Sequence, residues 1–218
     1  IYRTALLGER MSTRFKSLRR EFILKPENIP TGKVAITIHE NVGHDWNYAA
    51  TDAQAIFQQA AFGIPFVPNK YNSKALIVSR SDSVLLRAAS KVNVPKGKHR
   101  ILLRARTLSR LYLDGEIIVQ IKVSSGSTSA HGKVSAVPKD HGGLTRFLRP
   151  GMQETVVDIE TSGKEHLFLL EAYVGGKGKR PETGELSASI SVNGEPFKLL
   201  SPRRNIALTD DNWTDYTE

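Results

Sequence analysis

Apolar and polar positions follow two different periods along this chain. Near the start, Leu7, Met11, Phe15, Leu18 and Phe22 recur at helical spacing, which predicts an amphipathic helix over residues 5–22. Arg10, Arg14 and Lys16 fall off that stripe. Such a basic helix packs its stripe on its own domain or on a neighbouring one more readily than on a membrane. Pro26, Asn28, Pro30 and Gly32 then break the pattern. From Lys33 the period becomes two: Val34, Ile36 and Ile38 alternate with Lys33, Ala35 and Thr37, as a half-buried strand requires. Residues 39–52 read as a polar and aromatic loop. Asp52 to Phe62 reads as a short helix capped by Asp52, and Phe62 to Tyr71, with Gly63, Pro65 and Pro68, as an irregular or edge segment.

The period of two is clearest from residue 75 to residue 123. Leu76 and Val78 mark a short strand, and Ser83–Val94 a longer one closed by a tight turn at Pro95-Lys96-Gly97. Ile101, Leu103 and Ala105 share one face of the next strand, leaving Arg100, Arg104 and Arg106 on the other. Leu111 and Leu113 lead into Asp114-Gly115, a hairpin signal because glycine supplies the positive φ of the turn. Ile117, Val119 and Ile121 return on one face. Beyond the Ser/Gly-rich stretch Ser124–Thr145, strands are expected at Glu154–Glu160 and His166–Val174, joined through Ser162-Gly163. A basic glycine-rich loop, Gly175–Thr183, precedes Ser187–Val192 and Phe197–Leu200, which flank Asn193-Gly194. At least eight short strands without βαβ alternation predict an all-β antiparallel sandwich or barrel with a short N-terminal helix. The expected organisation is a basic helical lead-in (1–29), the sandwich (30–202) and an acidic linker (203–218) to a following domain.

Composition changes this picture in three ways. The absence of cysteine excludes disulfide frameworks, thiolate catalysis and iron–sulfur or Cys-type zinc sites. No apolar run approaches the ~20 residues of a membrane span. The net charge is +9, unevenly spread: Lys91–Arg110 holds seven Lys or Arg and no acid, while the last ten residues hold four acids and no base. A basic surplus favours anionic partners such as acidic polysaccharide, nucleic acid or anionic lipid. The chain opens on Ile1 without a signal-peptide pattern, and so reads as a piece of something longer.

Few motifs carry chemistry. His39 and His44 flank Glu40 but stand five apart with Gly43 between them, whereas a zincin helix needs histidines four apart. Gly175-Gly176-Lys177-Gly178-Lys179-Arg180 lacks the Ser or Thr and the following helix of a phosphate loop. Asp158 and Glu160 alternate with Val157 and Ile159 and so lie on a solvated face. No nucleophile elbow or paired carboxylates stand out, and the chain reads as non-enzymatic. Two binding features remain. Arg104 and Arg106, with Arg100, form a row able to meet carboxylate or sulfate bidentately, or else to pair with cross-strand acids. Asp45-Trp46-Asn47-Tyr48, echoed by Tyr71-Asn72, sets aromatic rings beside hydrogen-bonding groups, as sugar rings with apolar faces and hydroxyl rims require; the other reading makes Trp46 a plug for one end of the sandwich.

Gly97-Lys98-His99-Arg100-Ile101-Leu102-Leu103-Arg104, followed by Arg110-Leu111-Tyr112-Leu113-Asp114-Gly115-Glu116, resembles the central hairpin of PA14-like (GLEYA/PA14) domains. The similarity spans residues 30–200 or so and is most specific at Tyr112–Gly115. The wording is also similar to the PA14-like segment of planctomycete-type multidomain surface proteins. The resemblance implies a β-sandwich and an extracellular glycan-binding or adhesion role. In lectin members an acidic pair ahead of the hairpin holds calcium. Here Thr107-Leu108-Ser109 stands in its place, so no cofactor is expected.

The sequence therefore predicts a non-catalytic carbohydrate-binding module of a secreted, periplasmic or cell-surface bacterial protein, with anionic polysaccharide as the preferred ligand. The expected contacts are Asp45, Trp46, Tyr48, Tyr71, Arg104, Arg106, Arg110 and Asp114. The alternative is a structural module that docks neighbouring domains of the same polypeptide and binds no glycan. Nucleic acid ranks last, since no aromatics interleave with the arginine row.

Overall fold

The computed structural model describes residues 29–43, 53–80, 83–106, 108–122, 152–175 and 186–203, with the backbone of 206–207. The expected N-terminal helix, all of Ser124–Thr145, all but Gly175 of Gly175–Thr183, and the acidic tail from residue 208 lie outside them.

The strands are β1 (Val34–Glu40), β2 (Ala55–Gln59), β3 (Gly63–Ile64), β4 (Lys70–Tyr71), β5 (Ile77–Val78), β6 (Ser83–Asn93), β7 (Lys96–Ala105), β8 (Ser109–Leu113), β9 (Glu116–Ile121), β10 (Gln153–Ser162), β11 (Glu165–Gly175), β12 (Leu186–Val192), β13 (Lys198–Leu199) and β14 (Ile206–Ala207). One sheet has the order β2-β1-β6-β11-β8-β9; the other runs β10-β7-β12-β13-β14, with β3 also paired to β12. Strands β4 and β5 form a separate small sheet. All pairings among the described residues are antiparallel.

The alternation builds the core. Val34, Ile36 and Ile38 of β1, Val84, Leu86 and Ala88 of β6, and Phe168, Leu170 and Ala172 of β11 face Ile101, Leu103 and Ala105 of β7 and Leu186, Ala188 and Ile190 of β12. Phe62, where the chain crosses between sheets, meets Phe168 edge-on at 6.5 Å. Burying each large apolar side chain stabilises by about 1.5–3 kcal/mol before chain entropy is counted. A smaller cluster joins Leu85 of β6 and Tyr173 of β11 to Val42, just past β1, with Leu108, just ahead of β8, against it.

Three local expectations are corrected. Asp52–Phe62 holds no helix in its described part: residues 55–59 are β2, in register with β1 from Ile38↔Ala55 to Val34↔Gln59. The Ala/Gln-rich sequence suits a helix, but the backbone groups on that side of β1 need partners, and pairing overrides propensity. The turn ahead of β7 sits at Val94-Pro95; Lys96 already opens the strand, and Gly97 lies within it at φ +132°, opposite Thr161. Finally, Ile117 does not share the inward face of Val119 and Ile121. The pairing steps from Leu111↔Val119 to Tyr112↔Ile117, so Ile118 is a bulge residue that packs on the core while Ile117 is left 49% exposed.

The connections are sorted by length. At one end of the sandwich the turns are short, at 94–95, 114–115, 163–164 and 193–197. The strands flanking the longer connections, 41–54, 65–82, 122–152 and 176–185, all finish at the other end, together with the 106–108 crossover. Gly163 shows how tightly the short-turn end is built: at φ +80°, a Cβ there would lie 2.8 Å from Lys96 Cβ and 3.0 Å from its backbone nitrogen. The Pro95 carbonyl, at the same end, accepts from Thr161 Oγ1 at 2.5 Å and bonds His99 Nε2 at 2.7 Å.

Candidate functional site

The expected contacts separate in space. Asp45, Trp46 and Tyr48 belong to the connection between β1 and β2, outside the described residues. Arg104, Arg106 and Arg110 lie at the strand ends that border the long-connection end, whereas Asp114 occupies the opposite, short-turn end.

The arginine row follows its cross-strand register. Arg104 stands opposite Glu154 and Arg100 opposite Asp158, with Ser187 and Ser191 on the other side. Arg104 donates from Nε to Glu154 Oε1 at 2.6 Å, and both side chains are almost fully buried. Arg100 lies 4.0 Å from Asp158 and stacks over the Phe197 ring at 5.5 Å. Arg106 is also buried. Arg104 and Arg100 thus face acids across strands, as the cross-strand alternative holds, because β10 presents carboxylates at matching pleat positions. Arg104 has no free face for a ligand, while Arg100 keeps 41% of its side chain exposed.

A second polar row crosses the outer face of the first sheet, in register through Thr37, Arg87, Glu171, Arg110 and Gln120. Arg87 donates to Glu171 Oε1 at 2.7 Å, and Tyr112 donates its hydroxyl to Glu171 Oε2 at 3.1 Å. Arg110 donates to Gln120 Oε1 at 2.8 Å. Burial raises the Tyr112 phenol above its ordinary range, and the Glu171 carboxylate adds to this against the opposing pull of Arg110. Half-buried Arg110 and Tyr112, with exposed Ile117 beside them, make a mixed cationic, hydroxylic and apolar surface.

Glu40 ends β1 and anchors the β4–β5 hairpin. Its carboxylate accepts from Arg80 Nη1 at 2.7 Å and Lys70 Nζ at 2.8 Å, while Arg80 Nε donates to the Pro68 carbonyl. Burial alone would raise the Glu40 carboxyl; the Lys70 and Arg80 cations outweigh it and hold the group below the usual carboxylate range. Tyr71, on the hairpin, is 59% exposed. At the other end, Asp114 takes φ +51°, accepts the Leu167 amide at 2.8 Å through Oδ1 and bonds His166 Nδ1 at 2.6 Å through Oδ2. Burial opposes its ionisation, but His166, the Leu167 N–H and Lys164 hold it below its ordinary range. Its role is to fasten the turn.

His39 Nε2 bonds Thr37 Oγ1 at 3.0 Å, so its neighbours are those of a strand histidine. Where the lectin pattern places acids for calcium, Leu108 packs against Val42, Leu85 and Tyr173, and Ser109 is buried. Those residues do not fit a hard cation, and no group of three metal-ligating side chains occurs among the described residues.

These features define an antiparallel β-sandwich that collects its long connections at one end and pins its turns at the other. It is a PA14-like sandwich. The fold is similar to that of a PA14 sugar-binding domain from an RTX adhesin, at TM-score 0.50 and 7% identity, over 81% of this chain and 99% of that one. It is likewise similar to the PA14 domain of the MpAFP antifreeze protein, at TM-score 0.50 and 8% identity, over 80% and 92% of the two chains. An anti-sigma factor domain-containing protein gives TM-score 0.51 at 10% identity, over 81% of this chain and 48% of that one. No family model matches the sequence, and no curated protein matches it. At these identities the likeness is one of fold.

Proposed function

We propose that the chain is a non-catalytic glycan-binding module of a secreted or cell-surface bacterial protein, with acidic polysaccharide as its preferred ligand. The supporting observation is the sorting of connections: segments bearing Asp45, Trp46, Tyr48 and Tyr71 and the basic Gly175–Thr183 stretch join strands at a single end of a rigid sandwich. Sugar binding in the PA14 domain of the RTX adhesin is in keeping with this reading. The basic surplus of +9 favours an acidic ligand. Of the arginines, Arg110 at the outer face is the better contact; Arg104 acts by fastening β7 to β10, and Arg106 is buried. Asp114 contributes by fixing the hairpin that carries Arg110 and Tyr112. The carboxylates of Glu40, Glu154 and Glu171 are each taken up by arginine or lysine, which suits a scaffold role. Among the described residues no helix is long and apolar enough to cross a membrane.

A glycan array, with and without calcium, tests the reading. Retention of acidic glycans independent of calcium is the expected result, and no retention by any acidic or neutral glycan overturns it. Trp46→Ala should weaken retention at an unchanged melting temperature; a large fall in that temperature would make Trp46 a core plug.

A further inference from the structure

The β4–β5 hairpin stands apart from both large sheets and forms its own. Every residue from 71 to 77 is exposed. Phe66, Tyr71, Leu76 and Ile77, at 51%, 59%, 60% and 64%, account for nearly all the strongly exposed large apolar side chains among the described residues. Tyr71 and Ile77 are cross-strand partners and so share one face of the ribbon; Lys70 and Val78, paired on the other, turn toward the body, where Lys70 reaches Glu40.

Three observations identify what this finger meets. No acid occurs from residue 53 to residue 81, whereas Lys70, Lys74 and Arg80 lie on or beside the hairpin. The tip satisfies its own backbone: Asn72 Oδ1 accepts the amides of Lys74 and Leu76, and the Asn72 carbonyl accepts that of Ala75. Asn72 N–H in turn donates to the Leu76 carbonyl. A tip closed in this way enters an apolar phase without stranding those groups, which is the condition a bilayer imposes. The finger is also convex and carries two-residue strands, too narrow for the ~800 Å² per partner of an ordinary protein interface, and its aliphatic Leu76–Ile77 pair offers a sugar no hydrogen bonds.

We propose that the β4–β5 hairpin inserts its apolar tip into the surface of an anionic lipid bilayer, with Lys74 against the headgroups. Tyr71 sits at the level where amphipathic rings collect. The Glu40–Arg80 clasp holds the finger in a fixed pose.

The test is co-sedimentation of the full 218-residue chain with vesicles of phosphatidylcholine alone and of phosphatidylcholine and phosphatidylserine in equal parts. Binding is expected to the mixed vesicles, falling with salt. The Leu76→Ser/Ile77→Ser double variant should bind roughly tenfold more weakly or worse, with its glycan retention and melting temperature unchanged. Lys74→Glu, on an exposed residue, provides a second readout and should weaken binding to the mixed vesicles alone. Failure of the native chain to sediment with mixed vesicles overturns the proposal, as does sedimentation of both variants equal to that of the native chain. A native dimer in ultracentrifugation that the double variant dissociates, without vesicle binding, overturns it in favour of a second copy.

Discussion

Arg104 Nε donates to Glu154 Oε1 at 2.6 Å across the β7–β10 ladder, with 3% and 2% of the two side chains exposed. A pair this deep is a structural fastener. Removing one partner leaves an uncompensated buried charge, so Glu154→Gln should lower the unfolding free energy by about 3 kcal/mol. The apolar pair Arg104→Met with Glu154→Leu should recover most of that loss. Denaturant midpoints of the two variants check the prediction, and a loss under about 1 kcal/mol for Glu154→Gln would show the pair to be solvated.

The Glu40 clasp carries a pH dependence of defined sign. Its carboxyl is held below the ordinary value, so the folded state releases the proton more readily than the unfolded chain. The stabilisation is complete above the usual carboxylate value of about 4 and is lost as pH falls through the lowered one. Amide protection factors, taken against the intrinsic rate at each pH, should fall in residues 69–80 on acidification ahead of those in β6 and β11. Glu40→Gln should abolish that acid step and cost about 3 kcal/mol at neutral pH. A uniform loss of protection across all strands would contradict the clasp.

Tyr112 gives the opposite case. Its phenol is raised, so its stabilisation is present below about pH 10 and lost as pH climbs through the folded value. Difference ultraviolet titration of the native chain against Tyr112→Phe should place this phenol above the ordinary range. Glu171→Gln should bring it back down by removing the carboxylate that opposes ionisation. Tyr112→Phe itself should cost about 1 kcal/mol, because a buried carboxylate oxygen loses its donor.

At the hairpin turn, Asp114→Asn should be tolerated better than Asp114→Ala. Asparagine accepts φ near +51° and retains an oxygen for the Leu167 amide, losing only the charge toward His166. Alanine loses both bonds and sits in a strained region, for a cost of about 2 kcal/mol. Equal melting temperatures for the two variants would show that neither bond matters.

Much of the sandwich is legible in the sequence because alternation and glycine turns are local. Val34, Ile36 and Ile38, the Asp114-Gly115 hairpin and the Ser162-Gly163 corner all appear where the residues alone place them. What escapes is set by partners. Residues 55–59 become a strand only because β1 needs a neighbour. The bulge at Ile118 exists only against Leu111 and Tyr112. The row Thr37, Arg87, Glu171, Arg110 and Gln120 draws on strands far apart in sequence, and no spacing announces it. The same holds for Glu40, whose cations lie 30 and 40 residues downstream. An acid opposite the arginine row is legible as an alternative, since Asp158 alternates on its own strand; the depth of Glu154 is not.

Gly32, ahead of β1, and Arg203, between β13 and β14, meet at the edge of the sandwich, where a Cβ on Gly32 would stand 2.8 Å from Arg203 Nε. A β-layered unit whose way in and way out share one address behaves like a cartridge. It can be spliced into a surface turn of a host domain without prising that turn apart, and its excision leaves two strands of host chain close enough to rejoin. Linking the chain beyond β14 to the residues ahead of Gly32 with a glycine-rich segment, and opening it at Asn193-Gly194, should yield a permuted molecule with the same two sheets.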